Sequence, residues 1–547
     1  MISGSTVAGH RSVTSAETAF GTSRVRALIP LGLGVLAATC VMLAIGPWPV
    51  GVFQDDGIYV VLAKSLATGE GYRFLQMPGA PNATHYPPGY PLFLAMLWKL
   101  YPSFPANVTL FKFANAVLVG VTAVLTWRFA TTRARLGTLG GGLATGLFTT
   151  CTPVVLLSVM VLSEPMFMAT LVPTILVAER AGESGRWQDA VLAGVAIGLL
   201  SMVRTLGVLV MPALVLVMVA RKRWRLAALV AAATVTVMLP WQLWVSAHTS
   251  EVPPIFLGKY GSYIGWLTDA VRTEGPAWVA QVARKNLAQL AFETWTHTGT
   301  VLLPIGVRIL ATVLVGALAI AGFVSAFRRV PVLALFMLAY LGIVVVWPFA
   351  PARFLWGIWP LIGLVLALGA QRLATSAIGA RPLREASART RHKAYARMLA
   401  LAPVVATTLL VAGYLRFNYQ SQQEGWWSQV QGGVAMRARP MAEWVNRNTT
   451  PDAILATDDD LLIYLYTGRR TIPNAAFTAQ EHLTKQSEAF AAAQLRTILD
   501  TYKVDYVLSG TEYSNLAVRG LSSTNPPELT VVQDVGQGAV FVPVRAP

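Results

Sequence analysis

The feature that most constrains this chain is the recurrence of long apolar runs between residues 28 and 415. Several approach the roughly 20 residues that an α-helix needs to cross a bilayer. Of the 547 residues, 54% are hydrophobic and only 13% are charged, against about 25% charged in an ordinary soluble domain. Soluble cores cannot hold that much apolar side chain, so the sequence reads as a multi-pass protein of the plasma (inner) membrane. After Phe417 the composition turns to a polar and apolar mixture, which marks the main domain boundary.

A net charge of +17 would suit nucleic acid if it were gathered on one soluble face. Instead the basic residues stand in short clusters between apolar runs, as the positive-inside rule expects, so the implied partner is the lipid bilayer and not nucleic acid. Arg24 and Arg26 precede a first span at about 27–49. Arg128, Arg133 and Arg135 follow a second, Arg180 and Arg186 a fourth, and Arg221, Lys222, Arg223 and Arg225 a sixth. Arg328 and Arg329 follow an eighth, and the basic stretch 372–397 a tenth. If all face the cytoplasm, the chain is mostly α, with about 11 transmembrane helices. The N-terminal tail 1–26 is then cytoplasmic. Residues 27–418 form the membrane domain, with long outer segments at 50–107 and 246–300. Residues 419–547 form a small extracytoplasmic α/β domain.

The first apolar run is not followed by an A-x-A cleavage site and reads as a retained anchor. Cys40 and Cys151 both lie in or beside apolar segments and offer neither a disulfide framework nor a zinc spacing. Trp48, Trp241, Trp244, Trp347 and Trp356 fall near expected outer span ends, where interfacial tryptophans gather. In the tail, helices are expected at 436–446, 459–466 (ended by Gly468) and 480–502. Strands are expected at 453–456, 504–508, 529–533 and 539–544, with Gly536-Gln537-Gly538 as a hairpin turn.

The densest chemistry follows the first span. Asp55 and Asp56 are adjacent carboxylates at a membrane surface, where charge is costly unless solvated, paired or used. Ile58, Val61, Leu62 and Leu66 recur behind them at helical spacing, which predicts an amphipathic helix lying on the bilayer with both acids in its first turn. The helix dipole there favours the ionised form, the form that a general base needs; a simple N-cap role suits the same position. His85-Tyr86-Pro87-Pro88-Gly89-Tyr90-Pro91 then stiffens the start of another apolar helix. In its functional reading this stretch is a wall of an outer cleft with His85 pointing in; in its plain reading it is a rigid helix start.

Arg204 interrupts an apolar run, 191–219, that is too long for one span and suits two short ones with a turn at 202–205. An arginine at membrane depth costs about 2.5–3.5 kcal/mol on insertion scales. A lipid phosphate would offset that cost through a charge-assisted bond, as a salt bridge or snorkelling would. Arg353 between the ninth and tenth spans is a similar candidate, and Lys259 with Tyr260 in the second outer segment a third. Glu164, at the outer end of the fourth span, either caps its helix or orients a cation. His248, Glu251, Asp269 and His297 have no diagnostic metal spacing with His85, so a divalent metal is conceivable but none is assigned. Gly140-Gly141-Gly142 lies inside an apolar span and is not a phosphate loop.

Taken in order, these motifs resemble the GT-C glycosyltransferases, in particular bacterial relatives of the protein O-mannosyltransferases and of the lipid A aminoarabinose transferase. The likeness rests on Asp55-Asp56 after the first span, Gly69-Glu70-Gly71-Tyr72, Tyr86-Pro87-Pro88-Gly89-Tyr90-Pro91, Ser163-Glu164-Pro165, and Pro351-Ala352-Arg353-Phe354 followed by Trp359-Pro360. Tail segments Glu443-Trp444-Val445, Tyr466-Thr467-Gly468-Arg469 and Val504-Asp505-Tyr506-Val507 extend it. The resemblance implies an inverting transfer of sugar from a polyprenyl-phosphate donor to a hydroxyl of an acceptor glycan, lipid or protein, on the extracytoplasmic face. It places the catalytic acid at Asp55 or, with a shift of one, at Asp56. It implies no cofactor beyond the lipid-linked donor. A transporter or flippase for lipid-linked sugar is the alternative from the residues alone, and a non-catalytic receptor a third. The absence of internal repeats and the gathering of acids on one side speak against the transporter.

Overall fold

The computed structural model describes residues 28–46, 48–298, 305–379, 386–426 and 430–544. The tail 1–26 with Arg24 and Arg26, and residues 299–300 of the second outer segment, lie outside the described residues, as do the side chains of His297 and of 377–397 in the basic stretch.

Among the described residues, four helices are long and apolar enough to cross a bilayer: Val108–Thr132, Trp224–Glu251, Thr312–Arg329 and Leu401–Gln423. A fifth crossing can be built from Gly137–Thr150 and Thr152–Val159, which meet at a bend of 47°. Shorter apolar helices accompany them at Leu28–Leu43, Trp187–Val203, Thr205–Ala220 and Pro331–Val346. Helix length and composition therefore carry up to five crossings among the described residues, fewer than the number implied by the basic clusters. The short helices are short for a local reason: irregular backbone interrupts them, as at Arg204, where an extended residue ends Trp187–Val203. Large apolar side chains point outward at helical spacing, as with Phe113, Val117 and Val121, and with Leu401, Val405 and Leu409. Such stripes cost free energy against water and none against lipid tails. The multi-pass reading is thus carried by exposed surface as well as by composition.

The tail is a five-stranded sheet flanked by helices. In chain order the strands are β1 (Ile454–Thr457), β2 (Arg470–Pro473), β3 (Tyr506–Ser509), β4 (Leu529–Val535) and β5 (Gly538–Pro543). Their order in the sheet is β2-β1-β3-β5-β4, with β1 parallel to β2 and β3, and β5 antiparallel to β3 and β4. The expected helix over 480–502 is two pieces, Ala479–His482 and Glu488–Tyr502, because Ser487 starts a fresh helix by accepting from the Phe490 amide. The first tail helix is longer than expected, Val430–Asn448. Strand β2 and helix Glu512–Ser522 have no counterpart in the sequence reading; both are short, and β2 follows its helix after a two-residue turn.

The tail docks on both outer segments. The Val50 amide donates to the Tyr466 hydroxyl (3.1 Å), and the Thr471 amide to the Gln76 carbonyl (2.8 Å). His482 bonds the Asn286 side chain at 2.8 Å, and Tyr260 donates to Asp460. Helix Asp55–Thr68 is enclosed by this docking, so its residues 56–63 are all buried. Helix Asp460–Thr467 of the tail packs on it and covers a face that the apolar spacing alone would leave to water. Gly258 sits so close to the tail that a Cβ there would lie 1.9 Å from the Phe477 carbonyl oxygen. Gly258→Val should therefore push the tail away from the second outer segment. Limited proteolysis in detergent should cut near residues 474–478 at least about tenfold faster than in the unaltered protein, an expected consequence of local opening; an unchanged rate would show that the contact is dispensable.

Candidate active site

The site begins where the chain turns after the first span. Lys112, buried on the second span, donates to the carbonyls of Gly46 (3.2 Å) and Trp48 (2.9 Å) and so ties down the chain leaving the first helix. Helix Asp55–Thr68 starts after Gln54, whose φ of 65° makes a sharp reversal. With 3.6 residues per turn, neighbouring side chains at a helix start diverge by roughly 100°, and the two acids separate accordingly. Asp56 turns back to its own loop. It accepts from the amides of Gly51 (2.9 Å), Phe53 (3.0 Å) and Gly57 (2.9 Å). Burial pushes its carboxyl up to about 6 against the pull of these three donors. Asp55 turns the other way, into a cavity of about 360 Å³. The sequence left open which of the two faces a substrate; among the described residues only Asp55 lines that cavity.

Asp55 pairs there with Arg353. Burial is the largest influence on its carboxyl and acts upward. Arg353, a hydrogen bond from Tyr86 and the nearness of His85 outweigh it and hold the group below the usual carboxylate range. Arg353 lies over the Phe53 ring, 4.6 Å from its centre, and its Nε comes 3.6 Å from Glu164 Oε1. Arg204 Nη1 is 2.6 Å from the same Glu164 oxygen and donates to Ser163 Oγ at 3.1 Å. Glu164 is wholly buried, so removing it would strand Arg204, while Arg353 would keep Asp55. Stranding a buried charge in this way costs about 3–5 kcal/mol elsewhere. Lys259 also lines the cavity and, among the described residues, has no carboxylate within 4.0 Å. Three cations thus line the cavity, with Asp55 and Glu164 against the arginines and Asp460 of the tail acting on Lys259; of these carboxylates only Asp55 lines the cavity beside them, an arrangement suited to an anion.

Backbone geometry brings these groups together across the chain. Gly89 packs on the break that carries Arg204: a Cβ there would stand 2.5 Å from the Met202 carbonyl oxygen. Only glycine permits that approach, and it seats the Tyr86-Pro87-Pro88 segment against Arg204. Asn115 of the second span accepts from the Tyr90 hydroxyl at 3.1 Å and directs its amide to the carbonyls of Ser158, Met160 and Leu162, each at 3.4 Å. That irregular segment leads into Ser163-Glu164. Tyr59 completes the link by bonding Ser163 Oγ at 3.0 Å. Lys112 and Asn115 escaped the sequence reading, and Tyr59 and Ser163 were given no role of their own in it. Lys112 and Asn115 are polar residues within an apolar span, and that was the available signal.

His85 is buried. Burial acts first and lowers its pKa, and its Nδ1 is engaged by the Gly261 carbonyl. Its ring packs on Tyr86 and Tyr263, at 4.5 and 4.2 Å between centres. From Tyr263 an aromatic wall continues through Trp347 and Phe349 to Phe477 of the tail. Tyr260, expected beside Lys259 in the site, does not line the cavity; it points to Asp460 and serves the docking of the tail. His248 and Glu251 lie together elsewhere, and Glu251 grips Asn82; Asp269 faces Arg272 on a surface helix.

The fold that carries this cavity is shared with known enzymes. ArnT from Cupriavidus metallidurans in its apo state superposes with a TM-score of 0.52 at 14% identity, covering 96% of this chain and 98% of that one. The same protein bound to undecaprenyl phosphate gives 0.51 at 14% identity over the same shares. The Archaeoglobus fulgidus oligosaccharyltransferase, tethered with an acceptor peptide containing the NVT sequon, gives 0.53 at 13% identity, over 90% of this chain and 71% of that one. These neighbours are GT-C glycosyltransferases, and the chain has their fold, in agreement with the motif resemblance. No family model matches the chain, and no curated protein matches it in sequence.

The opposite orientations of the two acids have separable consequences. Asp56→Ala strips three amides of their acceptor, two of them buried, a loss of roughly 1–3 kcal/mol for each buried group left unsatisfied. The thermal midpoint in detergent should fall by several degrees, whereas Asp55→Asn should leave it within about 2 °C. Equal falls would mean that both acids are structural.

Proposed function

We propose that the chain is an inverting glycosyltransferase that moves a hexosyl or pentosyl group from a polyprenyl-phosphate donor to an acceptor hydroxyl at the extracytoplasmic face. The observation that carries this reading is the meeting of Asp55 with Arg204, Arg353 and Lys259 around one cavity. One carboxylate able to take a proton and three cations able to hold a phosphate are the minimum equipment for such a transfer. In this scheme the acceptor oxygen attacks the anomeric carbon as its proton passes to Asp55. The bond from that carbon to the phosphate oxygen breaks, and the electron pair leaves with the lipid phosphate. Arg353, Arg204 and Lys259 stabilise the charge that develops there. Attack opposite the leaving group inverts the anomeric centre. Glu164 keeps Arg204 oriented, while His85 and Tyr86 form the wall beside Asp55 and Tyr86 donates to it.

The donor class is supported by the undecaprenyl phosphate bound in one ArnT structure and by the three cations that line this cavity. The tethered peptide of the archaeal oligosaccharyltransferase is one precedent for an acceptor; glycan and lipid hydroxyls suit the same chemistry. The reading also takes the chain as spanning the plasma membrane about eleven times, with residues 1–26 cytoplasmic and 419–547 outside.

Asp55→Asn should lower transfer from a polyprenyl-phosphate sugar by at least about 100-fold, the usual scale of lost general-base assistance, with insertion and folding intact. Full activity in that purified variant would remove Asp55 from the mechanism. A cysteine at exposed Glu70 should react in intact cells with a maleimide that does not cross membranes, while the native Cys40 and Cys151, partly and fully buried, supply the background. Labelling only after lysis would put the site on the wrong side.

A further inference from the structure

The two arginines of the cluster are bound differently. Arg204 is committed: it pairs with Glu164 at 2.6 Å, donates to Ser163 and lies 5.9 Å from the centre of the Phe167 ring. Its carboxylate partner is 0% exposed, so a ligand in the cavity meets the free side of Arg204 and does not displace Glu164 from it. Arg353 pairs with an acid at the cavity wall. The side chains of Arg353 and Asp55 are 26% and 14% exposed, and both residues line the cavity. An anion in the cavity therefore meets Arg353 already bound to Asp55. The arrangement also carries a chemical conflict, because a carboxylate held by a guanidinium is a poor proton acceptor.

We infer that Arg353 serves two anions in turn: before donor binds it holds the Asp55 carboxylate, and the donor's phosphate then displaces that carboxylate and frees it to act as base. This deepens the proposed function and rests on it. A phosphate oxyanion competes well for a guanidinium, which it meets through parallel, charge-assisted hydrogen bonds. Arg204 and Lys259 add attraction for the incoming phosphate that they do not offer to a carboxylate fixed on its own helix. Displacement leaves Asp55 with the Tyr86 hydroxyl and beside a new negative charge, both set against the place where the sugar's anomeric carbon must lie. The base becomes competent only when the donor is seated, so donor binds before the acceptor is activated. In the transfer that follows, the acceptor O–H bond breaks and its proton goes to Asp55. The new C–O bond forms as the old one to phosphate breaks, and the released lipid phosphate stays on Arg353. Its departure lets the original ion pair re-form once Asp55 has lost its proton to solvent.

The test uses undecaprenyl phosphate as the probe and the full chain in nanodiscs. If Asp55 competes for Arg353, Asp55→Asn should bind the probe roughly tenfold more tightly than the unaltered protein. Asp55→Ser, which lacks the shape to replace the carboxylate, should do the same. Arg353→Gln should bind it at least about tenfold more weakly. If Asp55 instead holds Arg353 in position for phosphate, removing the carboxylate weakens binding, and the inference is overturned. Unchanged affinity in both Asp55 variants, or in Arg353→Gln, overturns it equally. Failure of the unaltered protein to bind the probe at all would overturn the proposed function itself, a result distinguishable from any of these.

Discussion

The buried contact of Glu164 with two arginines is the constraint around which the outer half of this molecule is arranged. Charge inside a membrane protein persists only where it is neutralised or hydrated, and here three separate segments supply the charges. Arg204 sits on a helix break, Arg353 in the short helix Ala352–Trp356 just before Trp359–Gly379, and Glu164 at the first position of Glu164–Ser184. Each stands at or beside an interruption of a longer helical run, and such interruptions leave several apolar helices too short to cross a bilayer alone. The irregular backbone is the means by which polar groups reach the outer end of the spans without opening the interior.

A second layer of polar anchors keeps the interruptions in register. Asn115 receives the Tyr90 hydroxyl on one side and faces three carbonyls before Glu164 on the other. Lys112 fastens the chain before Asp55. The tail completes the enclosure, since its helix Asp460–Thr467 covers helix Asp55–Thr68 while Phe477 closes the aromatic wall. The tail domain is thus part of the cavity's construction and not an appended module.

Much of this was legible in the sequence wherever the signal is local. The two acids in a first turn, the break at Arg204, the proline after Glu164 and the glycine that ends Asp460–Thr467 all follow from neighbouring residues. What depended on distant contacts was not legible. Apolar spacing describes helix Asp55–Thr68 as amphipathic, yet a domain some 400 residues later covers its other face. Tyr260 reads as a partner for Lys259 until Asp460, 200 residues away, draws it off. The directions of Asp55 and Asp56 depend on the backbone reversal at Gln54, and a Gln rarely announces a positive φ.

The central claim is that a proton-accepting carboxylate and phosphate-holding cations share one pocket at the outer membrane boundary. A cryo-EM map of the chain with undecaprenyl phosphate tests it most directly. The account predicts phosphate density within hydrogen-bond reach of Arg353, in the cavity also lined by Arg204 and Lys259, with the Asp55 carboxylate facing the same space and the isoprenoid running out between apolar helices. Phosphate density at the basic clusters between the apolar runs, or in a chamber that Asp55 does not enter, would contradict it.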